Sequence, residues 1–184
     1  MNKNLLLLII LIFSPYYGKA QQINPPSKEQ SENFLNDITK NIKVSIDDMT
    51  KIRKSATTKN LLISTRYPLP QDKVTEYKMN NGTITNTDHD ISDYASYIFK
   101  NYELVNEKNE NLQMVDDNRA IYLQEFSLSE KDSNIYQDVG IPVKLNKEYS
   151  KLTGSITIEF TMPDEIKKEV KIPVDIILSN SNPQ

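Results

Sequence analysis

The one histidine of the protein, His89, stands in the run Asp88-His89-Asp90, with Asp93 three residues further on. Carboxylates suit hard cations and imidazole suits zinc, so Asp88, His89, Asp90 and Asp93 are the side chains that could hold a metal or serve a metal-dependent hydrolase. Their spacing argues against that use. A calcium loop of EF-hand type starting at Asp88 needs glycine at its sixth position and glutamate at its twelfth, where Asp93 and Phe99 stand instead. A single imidazole also leaves zinc short of its usual ligands. The same acidic residues are good caps for a following helix, because their oxygens accept first-turn amides and their charge opposes the positive end of the helix dipole. The expectation is a solvated capping loop without metal or cofactor. Asp116-Asp117-Asn118 reads in the same way as a turn between strands.

Nucleophilic chemistry has equally little to work with. There is no cysteine and no Gly-x-Ser-x-Gly elbow, and a Ser-His-Asp arrangement could use only His89. Beyond Gly18, glycine occurs only at 82, 140 and 154, too sparsely for a loop that cradles phosphate. Paired carboxylates for glycoside cleavage leave no spacing that a sequence could reveal. Tyrosine is the remaining signal. Tyr94, Tyr97, Tyr102, Tyr122, Tyr136 and Tyr149 could line a recognition surface, but Tyr94 and Tyr102 fall on an apolar stripe and only Tyr97 lies off it, so interior packing is the stronger expectation.

Residues 1–20 look like an address. Lys3 supplies a positive charge, an apolar run covers 5–13, Ser14 and Pro15 break it, and Gly18-Lys19-Ala20 offers small residues to a signal peptidase. The run is too short to span a bilayer stably, and the expected cut precedes Gln21. Without a lipidation cysteine, the expectation is a free domain, 21–184, exported to the periplasm or cell exterior with no membrane anchor. Cleavage takes Lys3 and Lys19 from 22 basic side chains and none of the 25 acidic ones, so the net charge moves from -3 to -5. A mildly acidic protein with interspersed signs disfavours nucleic acid as a partner, since phosphate binding needs a basic stripe.

The elements that must position these side chains follow from periodicity. Ser27 and Gln30 offer a capping box. Leu35, Ile38, Ile42, Ile46, Met49, Ile52 and Ala56 then recur at helical spacing, predicting a long amphipathic helix within 27–56, with a break conceivable at Val44-Ser45. Residues 61–67 read as a strand closed by Pro68. Asn81-Gly82 predicts a two-residue hairpin turn between 74–79 and Ile84. Residues 90–102 carry apolar positions at helical spacing, with a strand as the alternative. Residues 119–128 read as a central strand, while Pro142 places 139–145 at an edge or bulge. The clearest element is the hairpin 155–178, apolar and polar in strict alternation around Pro163-Asp164, with Pro173 at an edge.

The fold class expected is α+β: a long amphipathic helix, then an antiparallel sheet or β-sandwich over 60–178. The function expected is that of a non-enzymatic binding protein whose partner is another protein or envelope material, with an inhibitor or immunity protein as its narrower form. The alternative is an envelope hydrolase or metal-dependent enzyme built around His89.

Overall fold

The computed structural model describes residues 25–46, 57–84, 90–115 and 121–178. The expected signal peptide 1–20, residues 47–56 of the expected long helix, Asp88, His89 and the expected turn at 116–118 lie outside the described residues.

Helix α1, Lys28–Asn41, opens with the capping box read from the sequence: the Ser27 hydroxyl accepts the Gln30 amide, and the Gln30 side chain accepts the Ser27 amide at 2.8 Å. Phe34, Leu35 and Ile38 form its buried stripe. Each such side chain withdrawn from water stabilises the fold by about 1.5–3 kcal/mol. The helix is 14 residues long and not the long one expected. Ile42 turns extended, and Lys43–Ser45 forms a short strand, β1, on the edge of β2, Thr58–Pro68. The apolar pattern allows both outcomes, since Ile42 and Ile46 are four residues apart, a spacing shared by the helical and extended periods. Val44 lies between them and packs with them against the core, so extended backbone lets all three face inward. The open edge of β2 takes up their peptide groups, which propensity alone does not foresee.

After Pro68 the backbone forms a second helix, α2, Gln71–Met79, where a strand and hairpin were expected. Asn81 and Gly82 do adopt positive φ, at 51° and 87°, but they end a helix instead of joining strands. The Gly82 amide donates to the Tyr77 carbonyl at 2.9 Å, the six-to-one bond of a Schellman cap. A tight hairpin and a Schellman cap need the same left-handed residues. The distinguishing signals lie upstream, in Pro70 beside an acidic first turn at Asp72 and a basic last turn at Lys78.

A 3₁₀ turn, Ile91–Tyr94, precedes strand β3, Ser96–Asn106, which replaces the helix expected over 90–102. Tyr97, off the helical stripe, is buried with its ring 5.7 Å from that of Phe99, whereas Ile98, on the stripe, is 52% exposed. A bulge between Phe99 and Asn101 switches the parity of the strand, which is why its apolar residues do not alternate cleanly in sequence.

Strands β4, Gln124–Lys131, β5, Asn134–Tyr149, β6, Lys151–Thr161, and β7, Lys167–Ile177, complete two antiparallel sheets, ordered β1-β2-β5-β4 and β3-β6-β7. Two expectations invert here. β4, read as central, is an edge, and β5, placed at an edge or a bulge because of Pro142, is central, with a bulge in its pairing to β4 between Glu125 and Leu128. Pro142 is tolerated because the pairing of β4 ends at Gly140 and the next bridge on that flank is Met114 with Leu145. The imino nitrogen therefore falls in a gap of the ladder. The terminal hairpin is as expected, with Pro173 exposed on the edge strand β7.

The backbone passes from one sheet to the other at Ser150, the single residue between β5 and β6. Ile63, Ile141 and Val143 from the first sheet, Ile156, Phe160 and Val174 from the second, and Leu35 and Ile38 from α1 belong to one core. The molecule is thus a two-sheet α+β fold, with α1 packed on β2 and β7. Among the described residues, no helix is long and apolar enough to cross a membrane.

Candidate functional site

The polar side chains singled out by the sequence converge with others that it did not mark. Asp90 caps the 3₁₀ turn, accepting the Ile91 amide at 2.7 Å, while Asp93 accepts the Asp90 amide at 3.0 Å. Two of the four metal candidates therefore do the capping work expected of such a loop. The other oxygen of Asp90 pairs with Lys73 of α2 at 3.0 Å, with both side chains largely withdrawn from solvent.

Behind this pair lies a buried run of hydroxyls. Tyr67 of β2 donates to Ser92 Oγ at 3.2 Å, and Ser92 donates to Glu125 Oε1 of β4 at 2.6 Å. Tyr67 is 2% and Ser92 1% exposed. Burial pushes the Tyr67 phenol well above its usual range, and the nearby Asp90 charge adds to this, so the group stays protonated and acts as a donor. The other side of Tyr67 meets Phe34 of α1 edge-on, with ring centroids 5.0 Å apart.

Chemically, the cluster resembles a catalytic constellation in composition and differs from one in access. The Ser92 hydroxyl is covered, has a donor on one side and an acceptor on the other, and faces no general base of histidine type among the described residues. Its evident work is to join β2, the 3₁₀ turn and β4, with α2 tied on through Lys73 and Asp90. Among the described residues, no group of three or more histidine, cysteine, aspartate or glutamate side chains is arranged to hold a metal. Only Asp90 carries a readable sequence signal. Tyr67, Lys73, Ser92 and Glu125 lie up to 58 residues apart and meet through the tertiary fold alone.

The tyrosines divide between interior and surface. Tyr149 is fully buried and donates to the Asn60 carbonyl at 2.8 Å, and Tyr94 and Tyr102 are half-buried against the core. Tyr136 lies under the Arg66 guanidinium, 4.7 Å from ring centroid to Cζ. Tyr122 alone of the six is markedly open, at 49%. It pairs with Ser96 across a bridge that extends the free side of β3. Cross-strand partners share a face and alternate residues on a strand do too, so Tyr122 and Ile98 stand on the same outer surface.

No protein-family model matches this sequence, and neither the curated proteins nor the solved structures compared with it give a match.

Proposed function

We propose that residues 1–20 direct export and that the remainder acts in the periplasm or cell exterior as a non-enzymatic binding protein, of which an inhibitor or immunity protein is the narrower form. The observation that carries this reading is the burial of Tyr67 and Ser92, whose hydroxyls are committed to a run of hydrogen bonds that ends on Glu125. Tyr67 and Ser92 spend their hydroxyl hydrogen bonds under cover, and the run ends on Glu125 of the exposed edge strand β4. Ile98 and Tyr122, an aliphatic and an amphipathic ring side chain, are meanwhile left open on one outer surface, the type of pair that anchors protein contacts.

The test is an envelope-extract pull-down with tagged protein, compared with Ile98→Asp and Tyr122→Ala variants of unchanged melting temperature. A stoichiometric partner lost by both variants supports the reading. Turnover of a glycan, peptide or ester by the purified protein, abolished by one carboxylate substitution, overturns it in favour of the hydrolase.

A further inference from the structure

The cap of α2 contains the single Asn-Gly pair of the protein, Asn81-Gly82, and both residues are exposed. We propose that Asn81 is a site of spontaneous backbone modification, and that the folded cap holds the reaction back. The Gly82 backbone nitrogen is the nucleophile and the carboxamide carbon of Asn81, its Cγ, is the electrophile. A new bond from Gly82 N to Asn81 Cγ closes a five-membered succinimide, the Cγ–Nδ2 bond breaks, and ammonia leaves. Water then opens the ring at either carbonyl, giving aspartate or isoaspartate. The balance is one water in and one ammonia out, with no oxidant, reductant or cofactor.

Glycine favours this step because it puts no side chain beside the attacking nitrogen. The fold opposes it. Gly82 N–H is committed to the Tyr77 carbonyl at 2.9 Å, and Asn81 is held left-handed at φ 51° by the same cap. Attack therefore waits on opening of the last turn. That opening is a local event, because α2 has no fully buried side chain and ties its first turn to the body through the Lys73–Asp90 pair.

The products do not restore the cap. Both place a carboxylate at the negative end of the helix dipole. Isoaspartate also lengthens the backbone by one methylene, which breaks the register of the bond from Gly82 to Tyr77. The modification is thus a one-way loosening of α2, set by the age of the molecule.

The experiment holds the full-length protein in mildly alkaline buffer, folded and in strong urea, and maps the tryptic peptide 79–100 by fragmentation with enzymatic methylation of isoaspartate. Asn80 and Asn86 share that peptide and serve as internal references. The expected result is that Asn81 converts first in urea, that its conversion is about tenfold slower in the folded protein, and that the Lys73→Ala variant, still folded, narrows that gap. Asn80 or Asn86 converting as fast as Asn81 in urea would overturn the site. Equal rates in buffer and urea, or no acceleration in Lys73→Ala, would overturn the guarding role of the cap.

Discussion

The Glu107 carboxylate accepts the backbone amide of Ser150 at 3.0 Å, and the same oxygen takes the Lys151 amide at 3.2 Å. Those two amides belong to the corner where the backbone leaves one sheet for the other. A surface glutamate thereby satisfies backbone donors that neither ladder can reach.

The backbone bonds to Ser150 and Lys151 hold the Glu107 carboxyl down to about 2. A depressed folded-state value stabilises the protein above the unfolded value, and that stability is lost as pH falls through the folded one. Urea midpoints measured from neutral pH downward should therefore show Glu107→Gln less stable than the parent at pH 7. The difference should shrink between the ordinary carboxylate range and pH 2. A gap that stays constant across this range would assign the effect to packing instead.

Gly154 passes so close to β3 that a Cβ there would lie 1.8 Å from the Glu103 carbonyl oxygen, and its φ of 140° is one that side chains rarely adopt. Both faults add, since neighbouring backbone cannot rotate away as a side chain can. Gly154→Ala should cost about 3 kcal/mol or more in equilibrium unfolding, or leave the protein unfolded.

Ser31 is fully buried in α1, and its hydroxyl has no hydrogen-bond partner among the described residues. Removing an unsatisfied buried hydroxyl and gaining helix propensity act in the same direction. Ser31→Ala should raise stability by about 0.5–1.5 kcal/mol, visible as a higher melting temperature.

Lys73 and Asp90 are 14% and 10% exposed at the side chain, which makes the pair more than a surface contact. Lys73→Met strands a carboxylate in a largely dry place and should cost about 1–3 kcal/mol. Combining it with Asp90→Asn in a double-mutant cycle should reveal coupling, and hydrogen exchange should locate the loosening in α2.

Export is tested directly by N-terminal sequencing of the protein recovered outside the cytoplasm. The expected first residue is Gln21. A product that still begins at Met1 would remove the address from the proposed function.

Much of the fold was legible where one local signal had one meaning. The Ser27–Gln30 box, the strand ending at Pro68 and the 155–178 hairpin stand as their residues announce. Where one signal served two structures, the sequence was ambiguous. A four-residue step joins Ile42 to Ile46 in helix or strand, and positive φ at Asn81-Gly82 suits a hairpin or a helix end. The bulge beside Lys100 scrambled the parity that would have marked β3 as a strand.

By itself the sequence determined the α+β class, the N-terminal caps at Ser27 and Asp90 and the alternating hairpin, because these depend on residues close along the backbone. Only the tertiary structure decided that β5 is central and β4 an edge, and that Asp90 meets Lys73 while Ser92 meets Tyr67 and Glu125. Those relations are set by which strand edge finds which partner. Backbone hydrogen bonding is much the same for every residue type, so that choice rests on the burial of the whole core and is written in no single segment.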